Sequence, residues 1–432
     1  MRRYLLTVIL ALALLLSGCA SARPDAVPSP SPAPTGSAAR TPAPAETGPE
    51  PTPTPEPTPV PEPTVAHLMV AGDIMSHMPI TRDAYVAASG EYDYAHMLTD
   101  PAEQLSRADY AVGNLETVLA GGPDYSGFPR FNSPDSLAGS ARDAGFDLLA
   151  TANNHTRDQG MNGIFRTLDV LDEAGLAHVG TYRTQEERDE NSGIYVADVG
   201  GISTAFLCYT YGLNGYQLPK DQMFAVNLFN LDYYTTLANP DYELLAADLE
   251  AARDLETDLI AVIIHWGVEY QNAPNSYQTQ LARFLVEQGA DLVLGSHPHV
   301  LQPYETVTVT GWDGEEREGF VCYSLGNFLS NQYFSENPRR NIAVKTTAVL
   351  DLELTRTPDG ETAVTAVTYT PYFMLHRNSA APGDRRYLVN IHQAMAAYEA
   401  GDTSLISAGA YKDLQSALEH CHSILGAEGD AG

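Results

Sequence analysis

Short apolar runs alternate with amphipathic stretches along most of this chain. HLMVA (67–71), YAV (110–112), FDLLATA (146–152), DLIAVII (258–264) and DLVL (291–294) have the length and composition of buried strands. Between them, 134–144, 163–174, 242–256 and 277–288 carry apolar residues at helical spacing. Gly145, Gly175 and Gly289 stand where helices commonly end. Strands alternating with helices predict α/β layers. After Pro303 the pattern becomes all strand: 304–310, 320–325, 342–354 and 362–375, with turns at Gly311–Gly314 and Pro358–Gly360. Ile194–Tyr211 reads as a hairpin turning at Gly200-Gly201. Two mixed sheets face to face, with helices outside, accommodate this pattern. Residues 385–400 and 410–425 read as helices of a C-terminal extension, 379–432, behind a main domain at 65–378.

The first 64 residues follow neither period. Met1-Arg2-Arg3 and the apolar Tyr4–Leu16 form the n- and h-regions of a signal peptide ending at residue 19. Leu16-Ser17-Gly18-Cys19 resembles a lipobox, which makes Cys19 the expected lipidation site. Residues 20–64 are dense in Pro, Thr, Ala, Ser and Glu and cannot build a core. They read as a polyproline-rich disordered tether reaching roughly 140 Å at about 3.1 Å per residue. The expected location is the outer face of the cytoplasmic membrane, held there by lipid.

Charge narrows the partners. The 55 acidic residues against 24 Lys and Arg give a formal net charge of -31. A surface so acidic speaks against nucleic acid, which requires cations to displace its counterions. An anionic substrate must therefore be held locally, by metal ions or a few arginines.

The chemistry sits where the strands end. In order come Gly72-Asp73, Gly113-Asn114-Leu115-Glu116, Asn153-Asn154-His155, His265-Trp266-Gly267, Gly295-Ser296-His297-Pro298-His299 and Ser324-Leu325-Gly326-Asn327-Phe328. Buried strands do not require Asp, Asn, Glu or His at their tips. Convergence on one rim explains the choice, with His297 and His299 the strongest pair. Imidazole, carboxylate and amide donors without thiolate suit Mn, Fe, Zn or Co. Arg130 is a candidate for binding an anionic group. Asp158 is a candidate for orienting a histidine from behind. Asn327 reads as a loop brace, while Glu269 and Tyr270 are candidate pocket residues. His420-Cys421-His422 lies near a helix end and reads as structural. Cys208 and Cys322 fall in apolar strand runs and read as buried thiols; sequence alone cannot pair them.

The ordered motifs GD, GNLE, NNHxxDxG, HWGxEY, GxHPHxxQP and YSLGNF, between about Val70 and Phe328, resemble the CapA family. These are bacterial proteins of capsule and poly-γ-glutamate synthesis, related to calcineurin-like metallophosphoesterases. The resemblance implies a four-layer αββα sandwich of metallophosphoesterase type with one or two divalent metals at strand ends. It implies Asp73 and His299 as ligands of one metal, and Asn154, His265 and His297 as ligands of the other. His155 is implied as the residue that assists the leaving oxygen. The sequence departs from the esterase pattern twice. Met75 breaks the Asp-x-His motif, with His77 two residues on, and Glu116 stands where a bridging Asp is absent. The implied role is capsule or poly-γ-glutamate synthesis or export beside a membrane synthase, with the synthase or its polymer as partner. The alternative is a metal-dependent phosphoesterase or amide hydrolase. For the anchor, Cys19→Ala should move the protein out of the membrane fraction; unchanged fractionation would rule out lipid as the anchor.

Overall fold

The computed structural model describes residues 61–432, except Ser335 and Asn378. The signal peptide, Cys19 and the tether up to residue 60 lie outside the described residues. The first strand takes in Thr64, the last residue assigned to the tether.

In chain order the first strands are β1 (Thr64–Ile74), a small ribbon of β2 (Tyr85–Val86) and β3 (Glu91–Tyr92), β4 (Tyr110–Leu115), β5 (Leu148–Ala150) and β6 (Ala177–Val179). Then come β7 (Tyr195–Val199), β8 (Ile202–Thr210), β9 (Leu259–His265), β10 (Leu292–Ser296), β11 (Leu301–Thr310) and β12 (Glu316–Leu325). The last are β13 (Asn327–Leu329), β14 (Thr346–Arg356), β15 (Thr362–His376) and β16 (Arg386–Asn390). The helices are α1 (Met78–Ala84), α2 (Thr99–Leu105), α3 (Ser136–Asp143), α4 (Gly160–Ala174), α5 (Gln185–Glu190), α6 (Tyr242–Arg253), α7 (Ser276–Glu287), α8 (Pro338–Lys345), α9 (Ile391–Glu399) and α10 (Ala408–Leu425).

The strands form two mixed sheets. One runs β16-β15-β14-β1-β4-β5-β6, with β13 also paired to β1. The other runs β11-β12-β10-β9-β8-β7. Side-chain alternation explains how they stack. In β9, Leu259, Ala261 and Ile263 join an apolar core that also takes Leu68, Val70 and Leu350 from the first sheet. The intervening Ile260, Val262 and Ile264 face α6 and α7, through Leu245, Leu249, Leu281 and Leu285. Met69 and Ala71 of β1 similarly turn toward Leu137, Ala138 and Ala141 of α3 and Leu171 of α4. A strand buried on both faces must be apolar throughout, as DLIAVII is.

Polar residues therefore concentrate at strand tips. Parallel strands bring their carboxyl ends to one edge, where ligands bind in open α/β sheets. β1, β4 and β5 are mutually parallel, and so are β8, β9, β10 and β12. The two rims meet where the Asp73 N–H donates to the Gly326 carbonyl at 2.9 Å.

Two expected elements differ. Residues 386–390 are an edge strand, because Arg386–Asn390 pairs antiparallel with Tyr372–His376; helix begins only at Ile391, where the Asn390 side chain caps the Gln393 N–H. Residues 342–345 are helical because Asn337 caps α8 and Pro338 occupies its first turn. The C-terminal helices are not a separate body: all described residues lie in one compact unit, and Cys421 and Leu425 of α10 enter the core between the sheets.

Cys208, Cys322 and Cys421 are free and buried, and burial pushes the thiols of Cys208 and Cys322 up to about 12. Among the described residues no helix is long and apolar enough to cross a membrane.

Glycine chemistry at the rim gives a direct test. A Cβ on Gly72 would lie 2.0 Å from the Gly326 carbonyl oxygen, and one on Gly295 would lie 2.1 Å from that of Tyr323. Both obstacles are backbone and cannot rotate away. Gly72→Ala and Gly295→Ala should each destabilise the fold by about 2 kcal/mol or more in urea melts. Gly139→Ala, in open space within α3, should stabilise it by roughly 0.5–1 kcal/mol. Equal effects at all three positions would refute the backbone-contact account.

Candidate metal centre

Strand register places the donors. Asp73 lies level with Asn114 and Asn327, and His265 lies level with Ser296 and Thr210. Glu116 follows β4 by one residue. His297 and His299 follow β10 in a tight loop with φ of 96° and 58°, a region costly for side chains other than glycine. Such conformations cost of order 1–3 kcal/mol each and persist where surroundings over-determine them.

The six expected ligands come together. His299 Nδ1 lies 3.1 Å from Asp73 Oδ2, and the His297 N–H donates to the same oxygen at 3.4 Å. Glu116 Oε1 lies 3.6 Å from His265 Nε2 and 3.8 Å from His299 Nε2. Asn154 Oδ1 is 2.9 Å from His265 Nε2. Two candidate triads result, Glu116–His265–His297 and Asp73–Glu116–His299, each with ligand atoms within 4.8 Å of one another. Glu116 belongs to both, so it holds the position of a bridge.

The charges show what the site lacks. Both oxygens of Glu116 and Nδ1 of His297 are buried without a hydrogen-bond partner among the described residues. Burial pushes Glu116 up to about 8 and His265 down to about 3. Burial also opposes a charge on His299, yet Glu116 and Asp73 hold it up at about 9. An unpaired buried carboxylate is expensive. A divalent cation would supply the missing charge, displacing the protons held by Glu116 and His299. The donor set therefore fits a divalent metal, and the group of Asp73, Glu116, Asn154, His265, His297 and His299 would hold it.

His155 stands beside this group. Its Nδ1 lies 2.7 Å from Asp158 Oδ2, and its ring meets Phe131 edge-on at 4.7 Å. The same Asp158 oxygen accepts the Phe131 N–H at 2.6 Å. Arg130 spends part of its guanidinium locally: its Nε and Nη2 both donate to the Asp158 carbonyl, at 2.9 and 2.6 Å. It braces the loop carrying His155. The Nε/Nη2 edge is spent on that carbonyl, while Nη1 has no partner among the described residues.

Several contributors went unrecognised in the sequence. The Asn114 amide donates to Asp73 Oδ1 at 2.8 Å and lies 3.3 Å from His265 Nδ1. Ser296 Oγ lies 2.8 Å from the same His265 nitrogen. Their membership in the GNLE and GSHPH motifs was the available signal. Asn214, paired with the Asn154 amide at 3.2 Å, gave none. In the broken Asp-x-His motif Met75 is buried, while His77 Nδ1 accepts the Asn331 N–H at 3.3 Å. Burial, with His299 and His155 nearby, pushes His77 down to about 3. Asn327 braces the rim, its amide donating to the carbonyls of His299 and Val344. His422 pairs with Asp430 and His420 approaches Asn272, both away from the six ligands.

Comparison with known proteins agrees with the motif order. The chain is 29% identical over 274 residues to the "Capsule biosynthesis protein CapA" of Bacillus anthracis, covering 61% of this chain and 60% of that protein. It is 29% identical over 266 residues to the "PGA biosynthesis protein CapA" of Bacillus subtilis (strain 168), covering 60% of this chain and 62% of that one. It thus spans about 60% of the length of these curated relatives. The calcineurin-like phosphoesterase YfkN from Bacillus subtilis aligns with a TM-score of 0.37 and 13% identity, over 72% of this chain and 90% of that one. So distant a likeness bears on neither the chemistry nor the ligands of the site. The model of the bacterial capsule synthesis protein PGA_cap matches residues 67–332. That span is more than half of the chain and contains every rim motif, so the chain belongs to the bacterial capsule synthesis PGA_cap family.

Proposed function

We propose that this chain is a lipid-anchored, extracytoplasmic protein of capsule or poly-γ-glutamate synthesis or export, working through a divalent-metal site. Family membership supports the biological role, and Leu16–Cys19 with the tether supports the location. One observation carries the metal reading: Glu116, shared by both triads, is buried with neither oxygen hydrogen-bonded. Mn, Fe, Zn and Co all suit these donors. The partners in this reading are the membrane, a poly-γ-glutamate synthase complex and its polymer.

The second reading is a metal-dependent hydrolase of a phosphate ester or an amide, and the His155–Asp158 pair favours it. Asp158 fixes the ring through Nδ1, so proton exchange with a bound substrate falls to Nε2. Arg130 holds the turn in place from behind, through the Asp158 carbonyl. A divalent ion in this donor set supplies Lewis acidity toward a phosphoryl or carbonyl oxygen.

Metal analysis separates these readings from a purely structural rim. Glu116→Gln removes the bridging charge and keeps the shape. Its affinity for Mn or Zn should fall at least about 100-fold, beyond the 10–100-fold cost of losing an outer partner. Its metal-free form should melt no lower than the parent, because a buried acid already held protonated at neutral pH is replaced by a neutral amide of the same shape. The pair His297→Ala/His299→Ala should likewise lose metal. Parental affinity in both variants would end the metal reading.

Turnover then decides between the two functions. Asp158→Asn should leave metal content unchanged and reduce hydrolysis of a phosphodiester or of poly-γ-glutamate by about 100-fold, within the range of acid–base catalysis. A metal-loaded parent that cleaves neither would favour the accessory role.

A further inference from the structure

A second arginine lies close to the metal group in a different setting. Arg340 lies on α8, beyond the residues 67–332 that the family model matches. Its guanidinium carbon sits 4.2 Å from the centroid of the Tyr270 ring and 4.5 Å from that of Phe334. The two rings meet edge-on at 5.0 Å. Arg356 and Arg377 pair with Asp258 and Asp384, whereas Arg340 makes no ion pair among the described residues.

Tyr270 joins this cation to the metal group. Its ring centroid is 6.1 Å from that of His299. Its N–H donates to the Pro298 carbonyl, inside the loop that carries His297 and His299. Its φ of 65° is strained for a tyrosine, so the site loop sets its place. Gln332 closes the arrangement: it donates to Tyr270 Oη at 3.4 Å and accepts from Asn327, whose amide also donates to the His299 carbonyl. A single aromatic ring thus separates a half-buried guanidinium from a metal-site histidine.

Its own helix adds no opposing charge. Sequence PRRNIAVK gives α8 three basic residues and no acidic one, in a chain of net charge -31. Lys345 at its end is buried over Phe373, 4.4 Å from the ring centroid. Arg386, also buried, donates from Nε to Asn331, whose N–H donates to His77. In strand register Arg386 stands directly opposite His376, whose Nε2 is buried and unpartnered among the described residues. Asp83 accepts the Arg386 N–H at 2.9 Å and Asp413 acts on Lys345, so both of those cations have acidic neighbours, whereas Arg340 has no ion pair among the described residues.

We propose that Arg340 is the anion-recognition residue of this site, and that it receives a free α-carboxylate of a γ-linked glutamate polymer. Seated over two rings and without an ion pair among the described residues, the guanidinium keeps its N–H groups for a paired-oxygen anion. The inference rests on the polymer role in the proposed function and adds the group that recognises the polymer.

Binding to the full metal-loaded chain tests it, with a γ-glutamyl oligomer, its neutral α-amidated counterpart and inorganic phosphate as probes. Charge-assisted hydrogen bonds are worth about 1.5–3 kcal/mol, so Arg340→Met should bind the acidic oligomer roughly 10–100-fold more weakly. Its affinity for the amidated oligomer, its metal content and its melting temperature should match the parent. Arg340→Lys, retaining charge without the fork, should fall between. Equal loss for both oligomers, or none for the acidic one, would overturn the proposal. So would a change confined to phosphate, or a parent that binds no oligomer. Loss of metal from the parent itself would instead strike at the metal reading.

Discussion

The structure depends on two backbones touching. Gly72 of β1 and Gly326 after β12 approach so closely that no side chain fits between them, and the Asp73 N–H donates across the gap at 2.9 Å. That contact ties the rim of one sheet to the rim of the other. Without it, Asp73 and Asn114 would belong to one layer, and His265, His297 and His299 to another. The polar tips would then be isolated, half-satisfied groups. With it they form one desolvated group whose charges act strongly on each other.

Desolvation gives that group its character. Asp73 is held ionised below the usual carboxylate range against burial, through its contact with His299. Glu116, equally buried, has no donor and is pushed the other way. Two carboxylates 43 positions apart in the chain thus differ because one accepts hydrogen bonds and the other accepts none. The site is electrostatically incomplete in a definite place, between the triads. Loop strain at His297 and His299 points the same way, since the rings are held where local backbone preference would not put them.

Much of this was legible in the sequence because strand ends are local. An apolar run followed by Asp, Asn or His marks a tip, and parallel strands send their tips to one edge. What was hidden required contacts between distant segments. That Arg130 also braces the loop of His155 shows only once the Asp158 carbonyl, 28 residues away, is seen to take two of its N–H groups. Residues 386–390 read as helix until Tyr372–His376 supplies a ladder. Arg340 carried no motif; its meaning comes from Tyr270 and Phe334, brought beneath it by the fold. The helix at 338–345 was readable, because Asn337-Pro338 is a start signal that the apolar Ile-Ala-Val run obscured.

The three buried thiols have a practical meaning. Cys208 and Cys322 face the core between the sheets, and Cys421 reaches the same core from the last helix. Burial keeps all three protonated, and a protonated thiol reacts slowly with disulfides and alkylating agents. They can be modified only when the sheets part or α10 lifts away. A thiol-specific label is therefore a clock for opening of the interior. Its rate at Cys421, set against those at Cys208 and Cys322, distinguishes peeling of the C-terminal helix from separation of the two sheets.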